Sequence, residues 1–187
     1  MILEKVVAAQ LARSRVQPFQ VARRCPAGYP MVIECDPLPT PSEGRDPGRV
    51  FTTLYWLTCP ELIRHVGGHE STGAIGRMEN WVAQNPAARQ ALEAQHLRYS
   101  EERRRRIGAA RLRALADDHP KLAASLAQTG IGGVSGGTHL KCLHAHAAYH
   151  LVQEDHPVFL THPELLTDIS ECRRCDRLVA EGASHGV

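Results

Sequence analysis

Three prolines constrain this chain more than any other feature. Pro60, Pro86 and Pro120 each open an apolar run with helical spacing. In the first turn of a helix the missing N–H of proline costs nothing. They predict a short helix from 60 to about Val66, a long one from 86 to about Ala116, and one from 120 to about Gln128. "GGHESTG" interrupts after the first, and a further helix is expected from about Ile75 to Val82. Upstream of Cys59 the texture changes. "FQVARRC", "PMVIEC" and "VFTTLYWLTC" are β-branched and aromatic stretches bounded by Gly and Pro, which predicts a small antiparallel sheet. A helix over 2–13 precedes it and stops before Pro18, and "DPLPTPSEGRDPGR" reads as an exposed loop.

The order implies an α+β fold, with a small N-terminal antiparallel sheet packed against a mainly helical remainder that contains one long Arg-rich helix. At 187 residues the chain is long enough to bury a core without metal or disulfide staples. It reads as a single domain: 1–59 as helix plus small sheet, 60–170 as the helical part, and 171–187 as a C-x-x-C motif with a polar tail. No apolar run is long enough to cross a bilayer, so no membrane insertion is expected. The N-terminus is amphipathic, carries Glu4 and lacks a signal-cleavage pattern, so the expected address is cytoplasmic. In that reducing compartment the six cysteines read as thiols or ligands rather than disulfides.

The soft ligands fall in four segments: Cys25 in "RCP", Cys59 in "TCP", Cys142 with His144 in "KCLHAH", and Cys172 with Cys175 in "CRRC". A C-x-x-C knuckle turns two thiolates toward one metal. Cys59 at a helix N-cap and Cys142 in a first turn would lie in the positive field of a helix N-terminus, which favours the thiolate. Together the residues predict a shared site in which Cys25, Cys59 and Cys142 meet, completed by His144 or by Cys172 and Cys175. The set suits zinc or an iron–sulfur cluster, and the sequence does not separate the two. A regular helix from about 139 would put Cys142 on one face with His146 and turn His144 away; a turn still forming there would join Cys142 to His144. Cys35 reads as a small buried hydrophobe.

"VARRCPAGYP", "TLYWLTCP" and "KCLHAHAAYHL", in this order around a glycine-rich loop, resemble the bacterial domain of unknown function 501 family, from about residue 15 to 160. The family's pattern falls on Arg24, Cys25, Pro26, Gly28 and Pro30, on Thr53, Leu54, Tyr55, Thr58, Cys59 and Pro60, and on Lys141, Cys142, Leu143 and His144. Members commonly carry a histidine near Tyr149, where this chain has His150. The resemblance implies no settled activity. It does imply genes often placed beside those of a septum-formation protein and an exopolyphosphatase-type enzyme, and hence a possible cell-division partner.

"HLRYSEERRRRIGAARLR" is the strongest charge feature. Leu92, His96, Tyr99, Arg103 and Ile107 fall on one helical stripe, with Arg104, Arg105 and Arg111 elsewhere. One reading is a solvated helix partly neutralised by Glu101 and Glu102. The sharper one turns His96, Tyr99 and Arg103 into a pocket that binds an anion together with Arg24 and Lys141. With a net charge of +2 and no DNA-reading motif, nucleic acid is not an expected partner. "TGIGGVSGG" lacks the ending of a phosphate loop and reads as a mobile lid. Two functions follow. The first is a metal or cluster protein, as an enzyme acting on an anionic small molecule. The second is a non-enzymatic adaptor with a structural zinc site, linked to cell division.

Overall fold

The computed structural model describes residues 2–14, 16–38 and 52–184. Most of the Pro- and Gly-rich loop expected between the second and third strands lies outside them. Helix α1 (Ile2–Gln10) precedes three strands, β1 (Phe19–Arg24), β2 (Pro30–Cys35) and β3 (Tyr55–Leu57), in one antiparallel sheet of order β1-β2-β3. Val32 pairs with Leu57 and Ile33 with Trp56, and a bulge interrupts the β1 pairing around Ala22. β2 is buried on both faces although the sheet is antiparallel. Val32 and Met31 face the main helical core, while Ile33 and Cys35 pack with Val7 of α1. Burial pushes the Cys35 thiol up to about 11, so Cys35 is the inert hydrophobe its surroundings suggest.

The helical part comprises α2 (Pro60–Ser71), α3 (Ala74–Gln84), α4 (Pro86–Ile107), α5 (Ala109–Asp118), α6 (Pro120–Gln128), α7 (Leu143–Gln153), α8 (Pro157–Thr161) and α9 (Arg174–Ser184). The fold is α+β. Each of the three prolines opens its helix, and the Asn85 side chain caps α4 by accepting from the Ala88 N–H at 3.2 Å. Among the described residues no helix is long and apolar enough to cross a membrane.

Besides an α1 that ends at Gln10 and a β3 of three residues, four boundaries differ from the sequence reading. α2 does not stop at Val66: Gly67 and Gly68 lie inside the helix, which ends at Thr72 and at Gly73 with φ +79°. Their intrinsic cost is overridden by packing on α7. The long helix stops earlier, because Gly108 takes φ +81° and separates α4 from α5. α7 starts at Leu143, later than expected, leaving Cys142 extended at its N-cap. The "CRRC" segment leads not into a tail alone but into α9, which docks on α1 and α2.

The glycine-rich segment is no open lid. Ile131 and Val134 are buried, and a Cβ on Gly130 would stand 2.3 Å from His96 Nδ1. Glycine is required there so that the loop can lie against the α4 core stripe.

Candidate metal centre at the end of helix α2

Lys141 takes φ +41°, and the Cys142 N–H donates to the Leu140 carbonyl across it. This tight three-residue turn swings Cys142 out of the helical path and onto the first turn of α7, beside His144. The Cys142 sulfur lies 4.0 Å from His144 Nδ1. The irregular-turn alternative is therefore the one the chain adopts, and His146 is buried against His96 and His156. The other side of His144 packs on α2. Its Nε2 donates to the Ile63 carbonyl at 3.0 Å, and its ring passes over Gly67, where even an added Cβ would keep an ordinary 3.7 Å contact. Glu70, in the last turn of α2, completes the group: one carboxylate oxygen lies 3.1 Å from His144 Nδ1, and the other accepts from the Leu143 N–H at 2.5 Å. A carboxylate at the N-terminus of α7 is favoured by the helix dipole.

The ligand atoms of Glu70, Cys142 and His144 all lie within 4.8 Å of one another, and all three residues are half-buried. Tetrahedral bonds near 2.3 Å to sulfur and 2.0–2.1 Å to nitrogen and oxygen would place S and N about 3.6 Å apart, and N and O about 3.4 Å apart. The observed 4.0 and 3.1 Å are within a few tenths of an ångström of that geometry. The Ile63 carbonyl fixes the tautomer that leaves the Nδ1 lone pair facing the other two ligands, which is how metal-binding histidines are oriented. Without metal, the His144 pKa is raised to about 9. The hydrogen bond with Cys142 is the largest cause, opposed by burial and reinforced by the Ile63 carbonyl and the Glu70 charge.

Sequence reasoning missed Glu70 because it lies in the "GGHESTG" stretch, read there as a break. Recognising that α2 continues through the glycines would have revealed it.

The single meeting point expected for Cys25, Cys59 and Cys142 divides in two. Cys59 caps the N-terminus of α2, and Glu70 lies eleven residues later near the other end, about 16 Å along a helix that rises 1.5 Å per residue. Cys25, Cys172 and Cys175 lie toward the Cys59 end, where charge on Cys175 and Cys172 would act on Cys59, and charge on Cys25 and Cys172 on Cys175.

The anion-binding set also disperses. Leu92, His96, Tyr99, Arg103 and Ile107 are all buried, as the stripe predicts. Arg103, however, spends its fork on backbone: Nε donates to the Leu126 carbonyl at 2.5 Å, Nη1 to the Thr52 carbonyl at 2.6 Å, and Nη2 to the carbonyl and hydroxyl of Thr129. This carbonyl array satisfies a buried cation without an anionic ligand. Burial lowers its pKa to about 10, so it stays charged near neutrality. Tyr99 Oη accepts from the Leu54 N–H at 2.6 Å, and His96 Nδ1 from the Ile131 N–H at 3.1 Å. Arg24 donates to the Gly28 carbonyl within its own exposed turn. Of the five, Lys141 alone is an exposed cation next to the candidate centre. His146 and His156 form a buried pair 2.8 Å apart that burial holds neutral.

A family model described as a protein of unknown function (DUF501) matches residues 21–160. No curated protein and no solved structure matches the chain. Cys172 and Cys175 lie outside the matched span, whereas Cys25, Cys59, Glu70, Cys142 and His144 lie inside it.

Proposed function

We propose that this chain, which belongs to the protein of unknown function (DUF501) family, is a metalloprotein whose Glu70, Cys142 and His144 hold a divalent zinc-class ion with one coordination position open. The observation that carries the reading is the orientation of His144: Nε2 tied to the Ile63 carbonyl, Nδ1 turned to the Cys142 sulfur and the Glu70 carboxylate. Thiolate and imidazole donors select zinc over calcium or magnesium. Three protein ligands rather than four is the pattern of catalytic sites, in which a zinc-class ion supplies Lewis acidity at the remaining position.

The protein's own residues do the rest. Ile63 orients the imidazole, Glu70 joins the α7 N-terminus to the site, and the Lys141 turn aims Cys142. A positive φ at a non-glycine residue is costly and persists where the surroundings impose it, often beside functional groups. Lys141 is the flexible cation that would receive the anionic part of a small-molecule substrate. Arg103 is not needed for that role, and its place in the core removes the earlier motive for it.

The adaptor alternative, with a basic helix docking a cell-division partner, draws less support. Arg105 and Arg106 pair with Glu102, Arg106 also with Glu34, and Arg98 with Asp155, so much of the charge on α4 is already met within the chain.

The test is a zinc titration of the full-length protein against a chromophoric chelator, beside His144→Ala and Glu70→Gln. The reading expects at least a hundredfold weaker zinc binding at this site for His144→Ala, with the same far-UV circular dichroism. An unchanged zinc isotherm would sink it. Hydrolysis of anionic ester substrates by the wild type but not by His144→Ala would support the enzyme over the adaptor. Loss of zinc with no hydrolysis by either protein would favour the adaptor.

A further inference from the structure

At the other end of α2, four thiols from three separate segments converge, and none of them belongs to the centre proposed above. Cys59 is the N-cap of α2, extended in its backbone and with no capping hydrogen bond from its side chain. Its own N–H donates to the Met31 carbonyl at 3.3 Å, which fixes it against the start of β2. Cys25 begins the turn that leads into β2, with its N–H donating to the Tyr29 carbonyl at 2.9 Å. Cys175, at the start of α9, is buried. Gln10 Nε2 ties it to the same place, donating to the Cys175 sulfur at 3.2 Å and to the Pro30 carbonyl at 2.8 Å. Tyr29 Oη donates to Asp176 at 2.8 Å, and Arg174 pairs with Glu61 at 2.9 Å, so α9 is pinned to both the Cys25 turn and the first turn of α2.

We infer that Cys25, Cys59, Cys172 and Cys175 ligate a second, all-thiolate metal centre that fastens α9 to the sheet and to α2. Four observations carry it. The four sulfurs come from the two Cys-Pro corners and from the C-x-x-C knuckle, a spacing that turns two thiolates toward one ion. The Gln10 side-chain amide already points an N–H at the Cys175 sulfur, as amides do around metal thiolates. Arg24, Arg173 and Arg174 flank the cysteines in the sequence and would offset part of the negative charge that four thiolates gather, with Arg173 and Arg174 already shared with Asp176 and Glu61. Finally, the site has entry paths. Cys25 lines an open apolar cleft with Met31 and Leu62, and Cys172 lines a polar groove with Glu61 and Arg174.

The spacing separates the two forms of such a centre. Tetrahedral zinc at 2.3 Å holds its sulfurs about 3.8 Å apart. No three of these sulfurs lie mutually within 4.8 Å, so zinc would draw the 172–175 knuckle inward. An iron–sulfur cluster is larger than one ion and would take the thiolates farther apart. In either form each metal–sulfur bond replaces an S–H bond, and the proton leaves to solvent.

The test is zinc, iron and acid-labile sulfide analysis of the full-length protein purified without oxygen. The analysis is repeated after reconstitution with zinc chloride or with ferrous iron and sulfide. A Cys172→Ser/Cys175→Ser variant should lose a metal complement that His144→Ala keeps, and the reverse should hold for the Glu70 end. Iron with sulfide identifies a cluster, and one zinc at these thiols a mononuclear centre; both uphold the inference. Since the double variant could unfold, the wild type is also treated with N-ethylmaleimide, with and without EDTA, and mapped by mass spectrometry. At least tenfold faster modification of Cys25 and Cys172 after chelation is expected. Equal rates in both conditions, or full metal retention by the double variant, overturn the second centre without touching the first.

Discussion

The two ends of α2 gather soft ligands in different ways. At the Glu70 end two of the three ligands come from one short turn, Cys142 and His144, and the third hydrogen-bonds to the same turn. That centre is pre-formed: the imidazole is oriented by the Ile63 carbonyl before any metal arrives. At the Cys59 end the thiols belong to three segments far apart in the chain, and only the docking of α9 on α1 and α2 brings them together. Local geometry brings Cys142 to His144, and the packing of α7 on α2 adds Glu70, whereas the second group is assembled entirely by tertiary packing. The first should therefore survive perturbation of the chain's ends, and the second should not.

The largest effect expected in the molecule belongs to neither end and serves as a control. Arg103→Leu removes a cation that satisfies three backbone carbonyls in the core. It should cost about 3–5 kcal/mol by chemical denaturation, since buried acceptors lose their donors. Below the unfolding transition it should leave metal content at both ends unchanged. A fold of undiminished stability, with loss of sulfate or phosphate binding, would restore the anion-pocket reading of this residue.

Deleting residues 171–187 sharpens the contrast between the ends. It should abolish the thiol centre while leaving zinc affinity at Glu70, Cys142 and His144 within about twofold, measured by chelator competition. A large loss at both ends would mean that the two are not independent. Glu70→Gln should act in the opposite sense, weakening zinc at its own end by roughly 10–100-fold. The neutral amide can still accept from the Leu143 N–H, so α7 should remain capped.

A smaller effect is expected from pH. The metal-free His144 has its pKa raised from 6.5 to about 9. Its contribution to stability is therefore fully present below about pH 6.5 and is lost as pH rises through 9. The Tm of the metal-free protein should fall across that window. Saturating zinc should flatten or reverse the trend, because the ion needs the deprotonated Nδ1. The trend should vanish in His144→Ala. The smallest effect belongs to Gly67→Ala, whose new methyl would meet the His144 ring at an ordinary 3.7 Å. Stability should change by less than about 1 kcal/mol, toward the stable side by helix propensity. Zinc binding should be unaffected, and a loss of affinity would show that the ring needs more room than the structure gives it.

Much of the fold could be read from local chemistry. Prolines mark where α2, α4 and α6 begin, because a first-turn proline loses no hydrogen bond. The stripe from Leu92 to Ile107 identifies the buried face of α4, because helical periodicity fixes which side chains share a side. The pairing of Cys142 with His144 was legible as one of two alternatives, separated by where α7 begins. The sequence could not choose, since the turn at Lys141 is held by contacts far along the chain. Glu70 as a third ligand, the carbonyl array around Arg103 and the grouping of Cys25, Cys59, Cys172 and Cys175 were decided by tertiary structure alone. Each depends on which residues distant in sequence come within a few ångströms, and neither propensity nor periodicity carries that information. Local pattern determined the elements and their faces. Only the packing of α7 and α9 against α2 decided which of the ligands would meet, because one rigid helix holds its two ends too far apart to share a single ion.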